Sequence, residues 1–171
     1  MGRPRSVTGF TTLELVVTIV IAGILAAVAT ARFVSKGGFE SRGYFDQAIT
    51  VVRQAQKTAI AQRRNVMVVI SADRIAVCYL ATCGAGERVA ATQNLNRSSN
   101  TAATNCLNDA AWLCAGRPDG VAPIGSTAAT ITFDALGRSS TAATITISGA
   151  EAGDVTRQML IQAETGYVSP A

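Results

Sequence analysis

Residues Gly9 to Ala29 read GFTTLELVVTIVIAGILAAVA: a glycine, an aromatic residue, then apolar side chains broken by one carboxylate, Glu14. The stretch from Phe10 to Ala31 is 22 residues long. At about 1.5 Å per residue a helix of that length crosses a hydrocarbon core of about 30 Å. A helix that is apolar all round belongs in a membrane or inside protein. Glu14 sits at the rim of this segment, where an ionisable group is expensive and therefore a candidate for function.

Three readings compete for the segment. A secretory signal peptide would use Arg3 and Arg5 as its basic flank and Ala27-Val28-Ala29 as its cleavage site, releasing a soluble exported protein that starts near Thr30. Glu14 opposes this reading, because a charge in the first turn of the apolar region weakens insertion. A buried core helix accommodates the length but leaves Glu14 without a role. The third reading, an assembly anchor, uses Gly9, Glu14 and the short polar leader together. Charge counting does not orient the segment, since Arg32, Lys36 and Arg42 flank its far side as well.

The third reading rests on a resemblance. Gly9-Phe10 followed by Glu14 and the apolar run resembles the processing site of type IV prepilins and type II secretion pseudopilins. The resemblance implies cleavage by prepilin peptidase after Gly9, N-methylation of Phe10, and a role for Glu14 in recruiting the subunit to a filament. There Glu14 would meet the Phe10 amine of a neighbouring subunit, so that both charges are compensated on leaving the bilayer. Membrane lipid, the inner-membrane assembly platform and other major and minor pilins or pseudopilins are the implied partners. No proline lies between Pro4 and Pro118, so nothing of that kind bends the helix. Many major pilins have proline where Ala31 stands here, and its absence points to a minor pilin or pseudopilin.

Composition narrows the remaining possibilities. The chain has 171 residues, 49% hydrophobic and 15% charged, enough for one cored domain and an anchor. Of its 15 basic residues two lie in the expected leader, leaving 13 against 11 acidic ones. That balance makes no broad basic field. Arg88, Arg97, Arg117 and Arg138 are spread along the chain and the end reads GYVSPA, so no nucleic acid partner is expected. Histidine is absent, which removes imidazole bases, Ser-His and Cys-His pairings and imidazole metal ligands. With carboxylates scattered singly, no enzyme, cofactor or metal is expected.

Ser35-Lys36-Gly37-Gly38 should loosen the helix. Phe39 to Arg64 then has helical periodicity, with Tyr44, Ala48, Val51 or Val52, Ala55, Ala59 and Ile60 as candidates for one stripe. From Asn65 the period becomes two. Residues 66–70 and 74–79 predict a hairpin about Ser71-Ala72-Asp73, and 129–133, 143–148 and 157–162 predict further strands, with Gly166-Tyr167-Val168 closing the chain. Residues 84–128 show little pattern, and a stretch of that length is either functional or mobile. The length of this stretch and Trp112 within it motivate surface adhesion through residues 84–128 as an alternative role. The organisation expected is a leader over 1–9, a transmembrane and filament-core helix over 10–31, its amphipathic continuation over 32–64, and a β-rich periplasmic domain over 65–171. The fold class is α+β: a long N-terminal helix, its first half membrane-spanning, packed on an antiparallel sheet.

The C-terminal part is similar to the GspH/FimT branch of minor pseudopilins, in Phe133-Asp134-Ala135-Leu136-Gly137-Arg138 and the closing Gly166-Tyr167-Val168. Residues 42–46 and 53–57 resemble a minor pilin of the mannose-sensitive haemagglutinin pilus. Cys78, Cys83, Cys106 and Cys114 lie beyond the anchor, where an exported domain meets oxidising conditions. Four cysteines permit three connectivities. Short loops favour Cys78–Cys83 with Cys106–Cys114; a zinc site is the rival, although neither spacing is a tight C-x2-C.

Overall fold

The computed structural model describes residues 10–33, 36–92, 95 and 99–171, with side chains between 27 and 37 outside the described set. Gly9, the rest of the expected leader and Arg97 lie outside the described residues. The chain divides into two compact units, with the boundary after Lys36.

In the first unit, helix α1 runs from Thr12 to Phe33. Thr11 starts it, its Oγ1 accepting the N–H of Glu14 at 3.3 Å, which satisfies one of the orphan donors of the first turn. Among the described residues no helix is long and apolar enough to cross a membrane.

The second unit opens with α2, Lys36–Gln62. Tyr44, Ala48, Val51, Val52, Ala55 and Ala59 are buried, a stripe set by the three-to-four residue repeat of the helix. The helix stops where Arg63 takes a left-handed φ of 51°. The Arg64 N–H reaches back to the Ala59 carbonyl at 3.2 Å, the closure that commonly ends helices.

Strands β1 (Val66–Ser71) and β2 (Arg74–Cys78) form the hairpin, with Ser71 opposite Arg74. The stretch expected to lack pattern contains regular structure: a 3-10 turn at Ala85–Glu87, helix α3 (Asn100–Asn105), strand β3 (Cys114–Gly116) and strand β4 (Gly125–Ser126). Strands β5 (Thr130–Phe133), β6 (Ala143–Ile147), β7 (Arg157–Ile161) and β8 (Val168–Pro170) complete the chain.

The strands make two four-stranded antiparallel sheets, ordered β3-β2-β1-β5 and β4-β6-β7-β8, where one sheet was expected. The reason lies after β5. The chain folds back so that Ser139 bridges Phe133 and the Ser140 N–H donates to the Thr132 carbonyl at 2.8 Å. That return occupies the outer edge of β5, so β6 begins a new sheet.

Alternate residues of the strands, such as Val66, Val68 and Ile70 of β1 or Ala143, Ile145 and Ile147 of β6, join the α2 stripe in one core, as the two-residue period of a half-buried strand requires. β2 departs from it, with Ile75 through Cys78 all buried. Its Ile75 and Val77 enter the main core, while Ala76 and Cys78 lie under a second cluster with Cys106, Trp112 and Cys114.

Candidate assembly and interaction surfaces

The described apolar side chains of α1, as far as Leu25, are exposed. Phe10 is 76% exposed and Leu13 75%, and the apolar residues onward to Leu25 are likewise exposed. Glu14 is the acidic residue of the first turn, where the positive end of the helix dipole favours a carboxylate. Its N–H, bonded to Thr11, holds the backbone while the side chain stays exposed. A surface of this size and polarity needs a partner or a lipid phase.

In the second unit α2 is fastened to the second sheet at three heights. Ser41, fully buried, donates through Oγ to Asp154 Oδ2 at 2.8 Å and accepts from the Arg157 guanidinium at 3.2 Å. Arg53 donates to the Val168 carbonyl at 2.9 Å. Gln56 Nε2 donates to the carbonyls of Gly137, at 2.8 Å, and Thr165, at 3.2 Å. The two C-terminal sequence motifs therefore converge at Gln56. The Asp134 carboxylate accepts the N–H groups of Leu136 and Arg138, both at 2.8 Å, and this Asx turn presents the Gly137 carbonyl. A Cβ on Gly166 would stand 2.1 Å from that carbonyl.

The cysteines are joined as Cys78–Cys83 and Cys106–Cys114. Both bridges pack about Trp112, which is 1% exposed and donates its indole N–H to the Val77 carbonyl at 2.9 Å. Arg88 lies over the ring, 4.5 Å from its centre, and pairs with Asp109 at 2.8 Å. Trp112 is thus a core residue. Arg117 pairs with Asp73 at 2.9 Å and donates to the Val121 carbonyl. Arg88 and Arg117 are both engaged within the fold. Among the described residues no cluster of three His, Cys, Asp or Glu side chains could hold a metal.

Among the described residues two titrations are shifted. Hydrogen bonds from the Thr82 hydroxyl and the Gly84 N–H hold the exposed Glu87 carboxyl below its usual range and tie the turn after Cys83. Burial pushes the Tyr44 phenol well above its usual value; nearby Arg117 opposes this and Asp73 adds to it. The Tyr44 hydroxyl donates to the Ala115 carbonyl at 3.0 Å, fixing α2 to β3.

Beside that contact a cleft opens between α2, α3 and β3, bordered by Phe39, Glu40, Gly43 and Gln47. It escaped the reading of the sequence. Its only signal there is Gly43, a glycine inside an otherwise helical pattern.

A family model described as type II transport protein GspH matches residues 46–165. Among solved structures, the type IV minor pilin FimU of Pseudomonas aeruginosa PAO1 is similar with a TM-score of 0.52 and 15% identity, over 77% of this chain and 88% of that one. The minor pseudopilin EpsH from the type 2 secretion system of Vibrio cholerae gives a TM-score of 0.54 at 14% identity, over 77% of this chain and 96% of that one. No curated protein matches the chain. At these identities the structural likenesses establish a pilin-like α+β fold. Pilins and pseudopilins are structural components, not enzymes. Because the family match covers most of the chain, including the Asp134 to Arg138 turn that meets Gln56, this protein belongs to the GspH family within the type IV pilins and pseudopilins.

Proposed function

We propose that the chain is a minor pilin or pseudopilin that enters a type IV pilus or type II secretion pseudopilus, priming or capping it. The observation that supports this most is α1: a helix of uncovered apolar side chains with Glu14 in its first turn, preceding a GspH-family domain. Prepilin peptidase cuts after Gly9, Phe10 becomes the N-methylated first residue, and residues 10–31 hold the subunit in the inner membrane with the remainder in the periplasm. The assembly platform then moves the helix from lipid to filament. In lipid, Glu14 and the new amine of Phe10 are charges at a costly depth; a neighbouring subunit offers each an opposite charge, while the apolar face exchanges lipid for other helices. The likeness to FimU and EpsH, a minor pilin and a minor pseudopilin, supports the same reading.

N-terminal sequencing and intact mass of the protein from host membranes test it. A chain beginning at N-methyl-Phe10 is the expected result. A chain beginning near Thr30, recovered in soluble form, would refute the proposal and the role given to Glu14.

A further inference from the structure

The four cysteines meet in one cluster about Trp112, but they are not equivalent. Cys78, Cys106 and Cys114 are fully buried, whereas Cys83 is partly exposed. Cys83 lies among the exposed residues Leu80, Ala81, Thr82 and Gly84, in a turn closed by its N–H donating to the Leu80 carbonyl at 3.1 Å. Alone of the four cysteines it has a left-handed φ, 51°, a conformation costly to a side chain and held only by its surroundings. Disulfide exchange is a displacement at sulfur, so its rate depends on which sulfur a thiolate can reach. The Cys78–Cys83 bridge offers such a sulfur at its Cys83 end, and Cys106–Cys114 offers none.

We propose that Cys83 is a site of reversible thiolation by a small thiol of the glutathione class, while Cys106–Cys114 is a fixed link. The incoming thiolate attacks Cys83 Sγ. A new S–S bond forms there, the Cys78–Cys83 bond breaks, and Cys78 leaves as a thiolate that takes up a proton. One disulfide is exchanged for another, so the step needs no further oxidant or reductant. Arg88, which bridges Cys78 through its backbone, and Arg74 place guanidinium groups over the indole of the same cluster, 4.5 and 5.6 Å from its centre. Such positive charge favours the departing thiolate. Glu87 makes the step reversible. Its carboxylate accepts from the Thr82 hydroxyl and the Gly84 N–H, gripping the residues on either side of Cys83. Neither bond depends on the bridge, so the opened turn keeps Cys83 within reach of Cys78. The reverse step follows when the Cys78 thiolate attacks Cys83 Sγ and releases the small thiol. The site belongs to the folded domain and stands whether or not the chain enters a filament.

The test incubates the full-length chain in detergent with reduced glutathione, quenches with acid, alkylates free thiols after denaturation and maps the peptides by mass spectrometry. Trypsin separates the bridges, since residues 75–88 carry Cys78 and Cys83 while residues 98–138 carry Cys106 and Cys114. Glutathione is expected on Cys83 and the alkyl label on Cys78, with Cys106–Cys114 opening at least about tenfold more slowly. Once glutathione is removed the Cys78–Cys83 bridge should reclose, and Glu87→Ala should slow that reclosure at least about threefold by loosening the turn. Thr82→Val, which removes one of the two bonds to Glu87, serves if Glu87→Ala fails to fold. Glutathione on Cys78, equal or faster opening of Cys106–Cys114, or no adduct at either bridge would each overturn the proposal. Reclosure at the unaltered rate in both variants would overturn the part given to Glu87.

Discussion

Replacing Gly166 with alanine isolates what holds the two terminal turns together. Gly166 has φ +62°, a conformation that costs an L side chain about 1 to 2 kcal/mol. The added Cβ would lie 2.1 Å from the Gly137 carbonyl oxygen, 2.7 Å from Gln56 Nε2 and 3.1 Å from Phe133 Cε1. The nearest of these is backbone and the other two are the Gln56 and Phe133 side chains that close the site, so relief requires the turns to part. Separation breaks one or both Gln56 bonds, at about 1 kcal/mol each. The total is about 2 to 4 kcal/mol, or a fall of about 10 °C in the unfolding midpoint for a chain of this size. Gly153→Ala is the control: its φ is +93° but nothing lies within 4 Å of its Cβ, so it should lose only the conformational part, about 1 to 2 kcal/mol. Thermal unfolding of both variants, followed by circular dichroism in detergent, measures the difference. Equal losses would refute the claim that crowding at Gln56 locks the turns.

Gly43→Ala should raise stability by about 1 kcal/mol in the same assay, because an open helical site gains propensity without a clash; a loss would show that the helix needs glycine there. Reducing the bridges, which span 5 and 8 residues, should cost about 2 to 3 kcal/mol each. It should also brighten the fluorescence of Trp112, which both bridges adjoin; unchanged emission would contradict that placement. Burial raises the folded pKa of Tyr44 above the ordinary phenol value of about 10, so the native state holds its proton more tightly than the unfolded chain. Its contribution is complete below about pH 10 and lost as pH climbs further. Tyr44→Phe should therefore cost about 1 kcal/mol near neutrality and flatten the alkaline decline; an unchanged alkaline limb would refute the assignment.

The helix stripe and strand periods were legible because burial on one face leaves a repeat in the sequence, as in Tyr44 to Ala59 or Val66 to Ile70. β2 shows why such reading has limits. Covered on both faces, it loses alternation, and the cover comes from residues 106–114, whose own pattern is dictated by two cross-links and an indole. The division into two sheets was hidden for a related reason, since it depends on Ser139 and Ser140 closing an edge. Ser41, Arg53 and Gln56 were not picked out, because their partners lie about 80 or more positions away in the chain and polar residues on a helix read as solvated. Glu14 and the Gly9-Phe10 pair were prominent in the sequence, as a charge in an apolar run is visible without any fold.

The three attachments of α2 to the second sheet have a mechanical consequence. Ser41, Arg53 and Gln56 are strung along the helix, and each bonds to a different part of the sheet and its turns. A pull along the helix axis therefore loads them in parallel, as rivets share a shear force, whereas a pull across the axis would open them one after another. Tension applied along α2 is thus the direction in which its fastenings bear best.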